Sequence, residues 1–143
     1  MIKIICVGKI KEQYLINLIE DYQKRINKYH KLEIIEVPDS NINEEAKKII
    51  LKIDKGYNIA LVKEGIKCNS IEFSKLVNEK LMHEANINFI IGGSDGLGEK
   101  VLNKSNLQLS FSDITFPHGL FRGILLEQIY RSFKIQNNET YHK

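Results

Sequence analysis

Short apolar runs rich in β-branched residues alternate along this chain with longer stretches whose apolar residues recur every three or four positions. Ile2 to Val7 is the first run, and Gly8 follows it. Tyr14, Leu15, Leu18, Ile19, Tyr22 and Ile26 then fall at helical spacing, which predicts an amphipathic helix. Leu32 to Val37 reads as a second strand stopped by Pro38-Asp39-Ser40. Asn43, Glu44 and Glu45 are expected to open a helix through Ala46, Ile49, Ile50 and Ile53, closed by Gly56. Asn58 to Lys63 predicts a third strand, and Ser70 is expected to cap a helix carrying Phe73, Leu76, Val77 and Leu81. Ile87 to Ile91 predicts a fourth strand, Glu99 to Leu102 a short helix, Leu107 to Phe111 a fifth strand, and about Leu120 to Ile135 a long helix. Strand and helix in strict succession predict an α/β fold, a parallel sheet with helices on both faces. With 143 residues and no linker or internal repeat, one domain over 1–143 is expected, ending in a short polar tail at about 136–143.

Composition narrows the class. Hydrophobic residues make up 43% and charged residues 27%, which suits a folded globular chain rather than a disordered one. No apolar run approaches the roughly 20 residues of a membrane span, and the first residues read as a strand rather than a signal peptide, so a cytoplasmic location and no membrane partner are expected. Cys6 and Cys68 stand alone, and His30, His83, His118 and His142 fall at no ligand spacing, so no metal is expected. The net charge of +3 permits an anionic partner without demanding one. Lysine is abundant, whereas arginine occurs only at 25, 122 and 131. Arg122 and Arg131 lie close together near the C-terminus, where a planar guanidinium fork offers what lysine cannot.

Ligands of open α/β sheets bind beyond the carboxyl ends of the strands. Three segments there have unusual composition: Gly92 to Gly98, Ser112 to His118, and the region of Lys63-Glu64-Gly65. The first holds four glycines in seven residues, which lets the backbone turn sharply and lets a ligand approach it. It is not a Walker A loop, because Glu99 follows Gly98, and it is not a Rossmann loop, because it follows the fourth strand. In the second segment, backbone groups can read the edge of a flat heterocycle while Ile114 and Phe116 supply apolar contact. His118 reads equally as a functional imidazole or as a helix-start residue, and Asp113 as a ligand contact or a solvated turn residue.

The last predicted helix carries Leu120, Phe121, Ile124, Leu125, Leu126, Ile129, Tyr130 and Phe133. That stripe is wider than one side of a sheet needs, which suggests a second copy of the chain as partner. Gly119 and Gly123 cost roughly 1 kcal/mol each in a helix interior, so close packing or a ligand is expected beside them. Glu127 lies between the two arginines, and an ordinary Arg–Glu pair is the plainest reading. The tail ends in Tyr141, His142 and Lys143, a ring, an imidazole and a cation suited to an exposed nucleobase and its phosphate.

Several blocks together resemble one family. Ile-Ile-Gly-Gly-Ser-Asp-Gly-Leu at 90–97, Thr-Phe-Pro-His at 115–118, Leu-Leu-Glu-Gln-Ile-Tyr-Arg at 125–131 and the final Tyr-His-Lys are similar to the ribosomal RNA large subunit methyltransferase H family of the SPOUT superfamily. The resemblance spans the chain. It implies a parallel α/β sheet with a C-terminal trefoil knot, S-adenosyl-L-methionine as cofactor, and action as a cytoplasmic homodimer. The implied substrate is a pseudouridine in a 23S (large-subunit) rRNA stem-loop, methylated at N3 on the assembled ribosome. It also implies roles by position. Leu61, Gly93, Ser112, Asp113, Ile114, Thr115, Phe116 and Pro117 would hold the cofactor. His118, Arg131, Tyr141 and His142 would be catalytic, and Arg122 and Lys143 would contact the substrate. A SPOUT enzyme acting on tRNA, a nucleotide-phosphate enzyme using the glycine loop, and a non-enzymatic ribosome-binding module are the alternatives.

Overall fold

The computed structural model describes residues 1–53 and 55–143. In chain order the elements are β1 (Ile2–Val7), α1 (Gln13–Asn27), β2 (Leu32–Val37), α2 (Ile42–Lys52), β3 (Tyr57–Lys67), α3 (Ser70–His83), β4 (Ile87–Ile91), α4 (Glu99–Lys104), β5 (Leu107–Ser110) and α5 (His118–Gln136). The sheet order is β2-β1-β4-β3-β5, and every pairing is parallel. The expected α/β architecture is therefore the observed one.

Alternation along the central strands feeds two cores. Ile2, Ile4 and Cys6 of β1 and Ile87, Phe89 and Ile91 of β4 face α1, α3 and α5. Ile5, Val7 and Ile90 face α2 and α4, meeting Ala46, Ile49 and Val101. Leu125, Leu126 and Ile129 in the middle of α5 are wholly buried. Full burial of such a side chain stabilises by about 1.5–3 kcal/mol, so α5 is held by its centre and presents its two ends as fixed points.

The wide apolar stripe on α5 has an intramolecular explanation. The helix packs against both α1 and α3, so two neighbours and the sheet consume the stripe. The expectation of a second copy drawn from that stripe alone is corrected accordingly. Gly119 and Gly123 serve the same packing: a Cβ would fall 2.8 Å from Leu15 Cδ1 at the first and 2.7 Å from Leu18 Cδ2 at the second.

Local signals were off by a residue or two where polar residues cluster. Asn41, not Asn43, caps α2, its side chain accepting from the Glu44 N–H at 2.9 Å. Asn69, not Ser70, caps α3, in a reciprocal capping box with Glu72. Helix α2 ends at Lys52, before Gly56, which instead stands at the start of β3, where a Cβ would meet the Asn86 carbonyl at 2.2 Å.

Strand β3 runs past the expected end at Lys63 to Lys67. Its register against β5 jumps between Leu61 and Ile66, both opposite Leu109, so residues 62–65 are extruded as a bulge. Gly65 permits this, since a Cβ there would lie 2.6 Å from the backbone of Gln108 and Leu109. β5 is an edge strand, yet α5 begins against Ile10 and Leu15, beyond the end of β1. Residues 111–117 therefore cross the carboxyl ends of β3 and β4.

Candidate active site

The crossing segment, the glycine loop and the β3 bulge enclose a cavity of about 660 Å³ at the carboxyl ends of β3, β4 and β5. That volume lies in the range of small-molecule sites. Leu61 and Ile91, the last pair of the β3–β4 ladder, and Leu109 of β5 form an apolar floor. Residues 92–97 supply one wall and 110–116 the other, while Lys63 and Glu64 stand at the rim. A Cβ on Gly92 would lie 2.6 Å from the Gly96 carbonyl, so the loop can fold on itself only with hydrogen there. Gly96 takes φ of +76° and donates its N–H to the Gly93 carbonyl at 3.0 Å, closing the turn.

Serine hydroxyls pin the opposite wall. Ser110 Oγ donates to the Ser112 carbonyl at 3.2 Å, and Ser112 Oγ accepts from the Ile114 N–H at 2.9 Å. Asp113 turns away from the cavity and pairs with Lys67 at the end of β3, tying the segment down from outside. Phe116 stacks near Phe121 with ring centres 6.3 Å apart. Pro117 is the N-cap of α5 rather than a wall residue, and His118, its first residue, is exposed at the rim.

Of the expected cofactor residues, Leu61, Gly93, Ser112, Ile114, Thr115 and Phe116 thus converge on one cavity, with His118 beside them. Asp113 and Pro117 shape its wall without lining it. Sequence reasoning passed over Ile91, Leu102, Leu109, Phe111 and Phe121, which also line it. The strand-end rule could have found Ile91 and Leu109.

Arg122 lies elsewhere. It is 4% exposed, with Nη1 donating to Glu36 Oε2 at 2.7 Å and Nη2 to the Gly8 carbonyl at 3.1 Å. A guanidinium bound inside the fold in this way ties α5 to the ends of β1 and β2. The expectation that it grips substrate is corrected.

A second group of side chains forms at the far end of α5. Asn138, in the left-handed region at φ 54°, reverses the chain just beyond the helix, a conformation asparagine tolerates. Glu139 accepts from Lys134 Nζ at 3.0 Å and from Tyr29 OH at 2.8 Å, and these contacts hold its carboxyl below the usual carboxylate range. The tail then folds back on α5. Tyr141 meets Tyr130 edge-on with ring centres 4.9 Å apart, and its hydroxyl lies 3.2 Å from that of Tyr22. Burial, aided by Tyr22 and Glu127, pushes the Tyr141 hydroxyl well above the ordinary tyrosine range. The Arg131 guanidinium sits over the Tyr141 ring, 4.9 Å from its centre, and Nη1 contacts His142 Nδ1 at 2.9 Å. Lys143 is exposed beside them. Arg131, Tyr141 and His142 are thus brought together as expected, but not at the cavity. His118 and Arg131 are thirteen residues apart on one helix, or about 20 Å at 1.5 Å per residue.

The cavity's donor set fits S-adenosylmethionine. Backbone edges at 92–97 and 110–116 suit an adenine, the apolar floor suits its faces, and Glu64 and Asp95 offer carboxylates to a cationic ligand. Among the described residues, no group of three or more His, Cys, Asp or Glu is placed to hold a metal, and no helix is long and apolar enough to cross a membrane.

Residues 1–142 match the family described as "Predicted SPOUT methyltransferase". The chain is similar to proteins named ribosomal RNA large subunit methyltransferase H. It is 43% identical to that of Malacoplasma penetrans and 45% identical to that of Enterococcus faecalis. It is 48% identical to that of Clostridium botulinum strain 657. In each case 99% of both chains is covered. A solved methylase family protein from Haemophilus influenzae shares the fold at a TM-score of 0.63 and 14% identity, over 99% of this chain and 70% of that one. A second, from Neisseria gonorrhoeae, shares it at a TM-score of 0.56 and 10% identity, over 99% and 86%.

Proposed function

The chain belongs to the SPOUT methyltransferase family, and from that membership we propose that it methylates N3 of a pseudouridine in large-subunit rRNA, on the assembled ribosome, as a cytoplasmic homodimer. S-adenosylmethionine, when bound, supplies a methyl group activated by a sulfonium. Leu61, Gly93, Ser112, Ile114, Thr115 and Phe116 hold it, and the serine-pinned wall and glycine turn fix its orientation. Positioning of this kind supplies most of the barrier reduction expected for an in-line transfer. The position of His118 at the cavity rim supports reading it as the base that accepts the proton leaving N3.

The observation that carries the homodimer is the separation of the two groups. Within one protomer, the tail group stands about 20 Å from the cavity rim along α5. A second protomer with its α5 reversed brings its own Arg131, Tyr141, His142 and Lys143 over this cavity. These side chains then hold the RNA: a stacking ring, a guanidinium and an ammonium for a base and its phosphates. A net charge of only +3 fits few phosphate contacts and weak affinity for free RNA, so the shape of the assembled particle supplies the rest.

The test is transfer of labelled methyl from S-adenosylmethionine to ribosomes lacking the modification, with free rRNA and tRNA in parallel. Label on the intact particle alone is the expected result. Label on tRNA alone, or on nothing while the cofactor binds, overturns the substrate. The dimer has its own check: mixing an Arg131→Ala chain with a cavity variant restores activity only if each site draws on two protomers.

A further inference from the structure

One carboxylate stands behind the whole tail group. Glu127 Oε1 accepts from Arg131 Nε at 2.8 Å and from Arg131 Nη2 at 2.6 Å, and from the Tyr141 hydroxyl at 3.3 Å. Its Oε2 accepts from Gln128 Nε2 at 3.1 Å, and Gln128 Oε1 in turn accepts from Ser70 Oγ at 2.7 Å. Glu127 and Arg131 are 20% and 24% exposed, so this is a partly buried pair rather than a loose surface contact. Both residues lie on α5, whose centre is fixed in the core, so the carboxylate is a stationary reference.

The pattern of donors has a chemical consequence. Arginine has five N–H donors and no acceptor. Nε and one N–H of Nη2 point to Glu127, and one N–H of Nη1 points to His142 Nδ1. One N–H on each Nη remains, and these are left to meet a phosphate or a carbonyl. Because arginine can only donate, His142 Nδ1 is the acceptor in this contact. Without Glu127, Arg131 loses its side-on anchor, Tyr141 loses one of its two hydroxyl partners, and His142 loses a fixed neighbour.

We propose that Glu127 is a positioning residue, which clamps Arg131 side-on and anchors Tyr141 so that the guanidinium and the His142 ring beside it are presented to the RNA in one orientation. This rests on the reading that the tail group contacts the RNA. Glu127 itself touches neither substrate nor cofactor; it acts through its two neighbours.

Four chains test it: wild type, Glu127→Gln, Arg131→Ala and the double variant, each assayed for kcat and KM on ribosomes lacking the modification and for S-adenosylmethionine affinity by calorimetry. Glu127→Gln keeps the shape of the side chain and removes the charge. It is expected to lower kcat/KM by about 10- to 100-fold, the scale of an ångström-level misplacement, with cofactor affinity within about twofold. The double variant is expected to be no worse than Arg131→Ala, since both act through one guanidinium. A second readout needs no activity: the Arg131 Nε–H resonance, one of only three arginine signals in this chain, is expected to shift and exchange faster in Glu127→Gln. Glu127→Asp is expected to restore part of the lost turnover. If Arg131→Ala turns over normally, the RNA-contact reading fails and this proposal with it. If Arg131→Ala is impaired while Glu127→Gln is not, or the two losses multiply, the positioning role alone is overturned.

Discussion

The two ends of α5 are built on opposite plans. At its start, the cavity is made of backbone: glycine turns, strand ends and serine-pinned peptide groups, with side chains supplying a floor. At its end, the site is made of side chains, and backbone serves only to fold the tail back at Asn138. A backbone site is insensitive to most truncations and intolerant of added bulk. A side-chain site is the reverse: each group is replaceable in volume and irreplaceable in chemistry.

Gly92→Ala is expected to have the largest effect on the cavity. Its Cβ would meet backbone at 2.6 Å on both the carbon and the oxygen of Gly96. Overpacking of that kind costs about 1–3 kcal/mol, and here it opens the wall of the cavity. Loss of detectable S-adenosylmethionine binding by calorimetry, with a lowered Tm, is the expected outcome. Unchanged affinity would show that the wall is not made of backbone after all. Next comes Arg131→Lys, which keeps the charge and loses the fork. Turnover is expected to drop about 100-fold with cofactor affinity unchanged, because the ammonium cannot hold Glu127 and His142 at once. Equal loss of turnover and cofactor affinity would merge the two ends into one site.

Tyr141→Phe is smaller. It removes contacts to Tyr22 and Glu127 and is expected to cost about 1 kcal/mol in thermal or urea unfolding. The same hydroxyl gives a pH signature. Its folded-state titration is raised, so its stabilising contribution is complete below the ordinary tyrosine value near 10 and fades as pH rises above it. The phenylalanine variant should lack that part of the alkaline decline. Lys67→Met is expected to be smallest. The ion pair with Asp113 is solvent-exposed, so cofactor affinity should weaken less than about threefold, and the difference should vanish in high salt.

Much of this plan was legible beforehand. The alternation of Ile-rich runs and amphipathic stretches carries the parallel sheet, because each period can bury its apolar face in only one way. The glycine loop and the 112–118 segment marked the cavity through the strand-end rule. Residues acting across the fold were not legible. Arg122 looks the same in sequence whether it binds a phosphate or the Glu36 carboxylate; the choice depends on where β2 ends. The wide stripe on α5 looked like an interface because nothing local says that two helices flank it. The β3 bulge depends on Gly65 meeting Gln108, forty-three positions later. The fold-back of Tyr141 depends on Tyr22, at the opposite end of the chain.

The place of α5 in the chain has a kinetic consequence. Leu125, Leu126, Ile129, Tyr130 and Phe133 complete the core that β1 and α1 begin, yet they lie far downstream of both. Central strand β1 also waits for β4, more than eighty residues downstream. Such long-range closure slows folding and leaves apolar surface open in the meantime. Before α5 is in place, the elements that precede it can collapse but cannot close this core. Chains that lack α5 should therefore be substrates for chaperones and proteases rather than partly active enzymes.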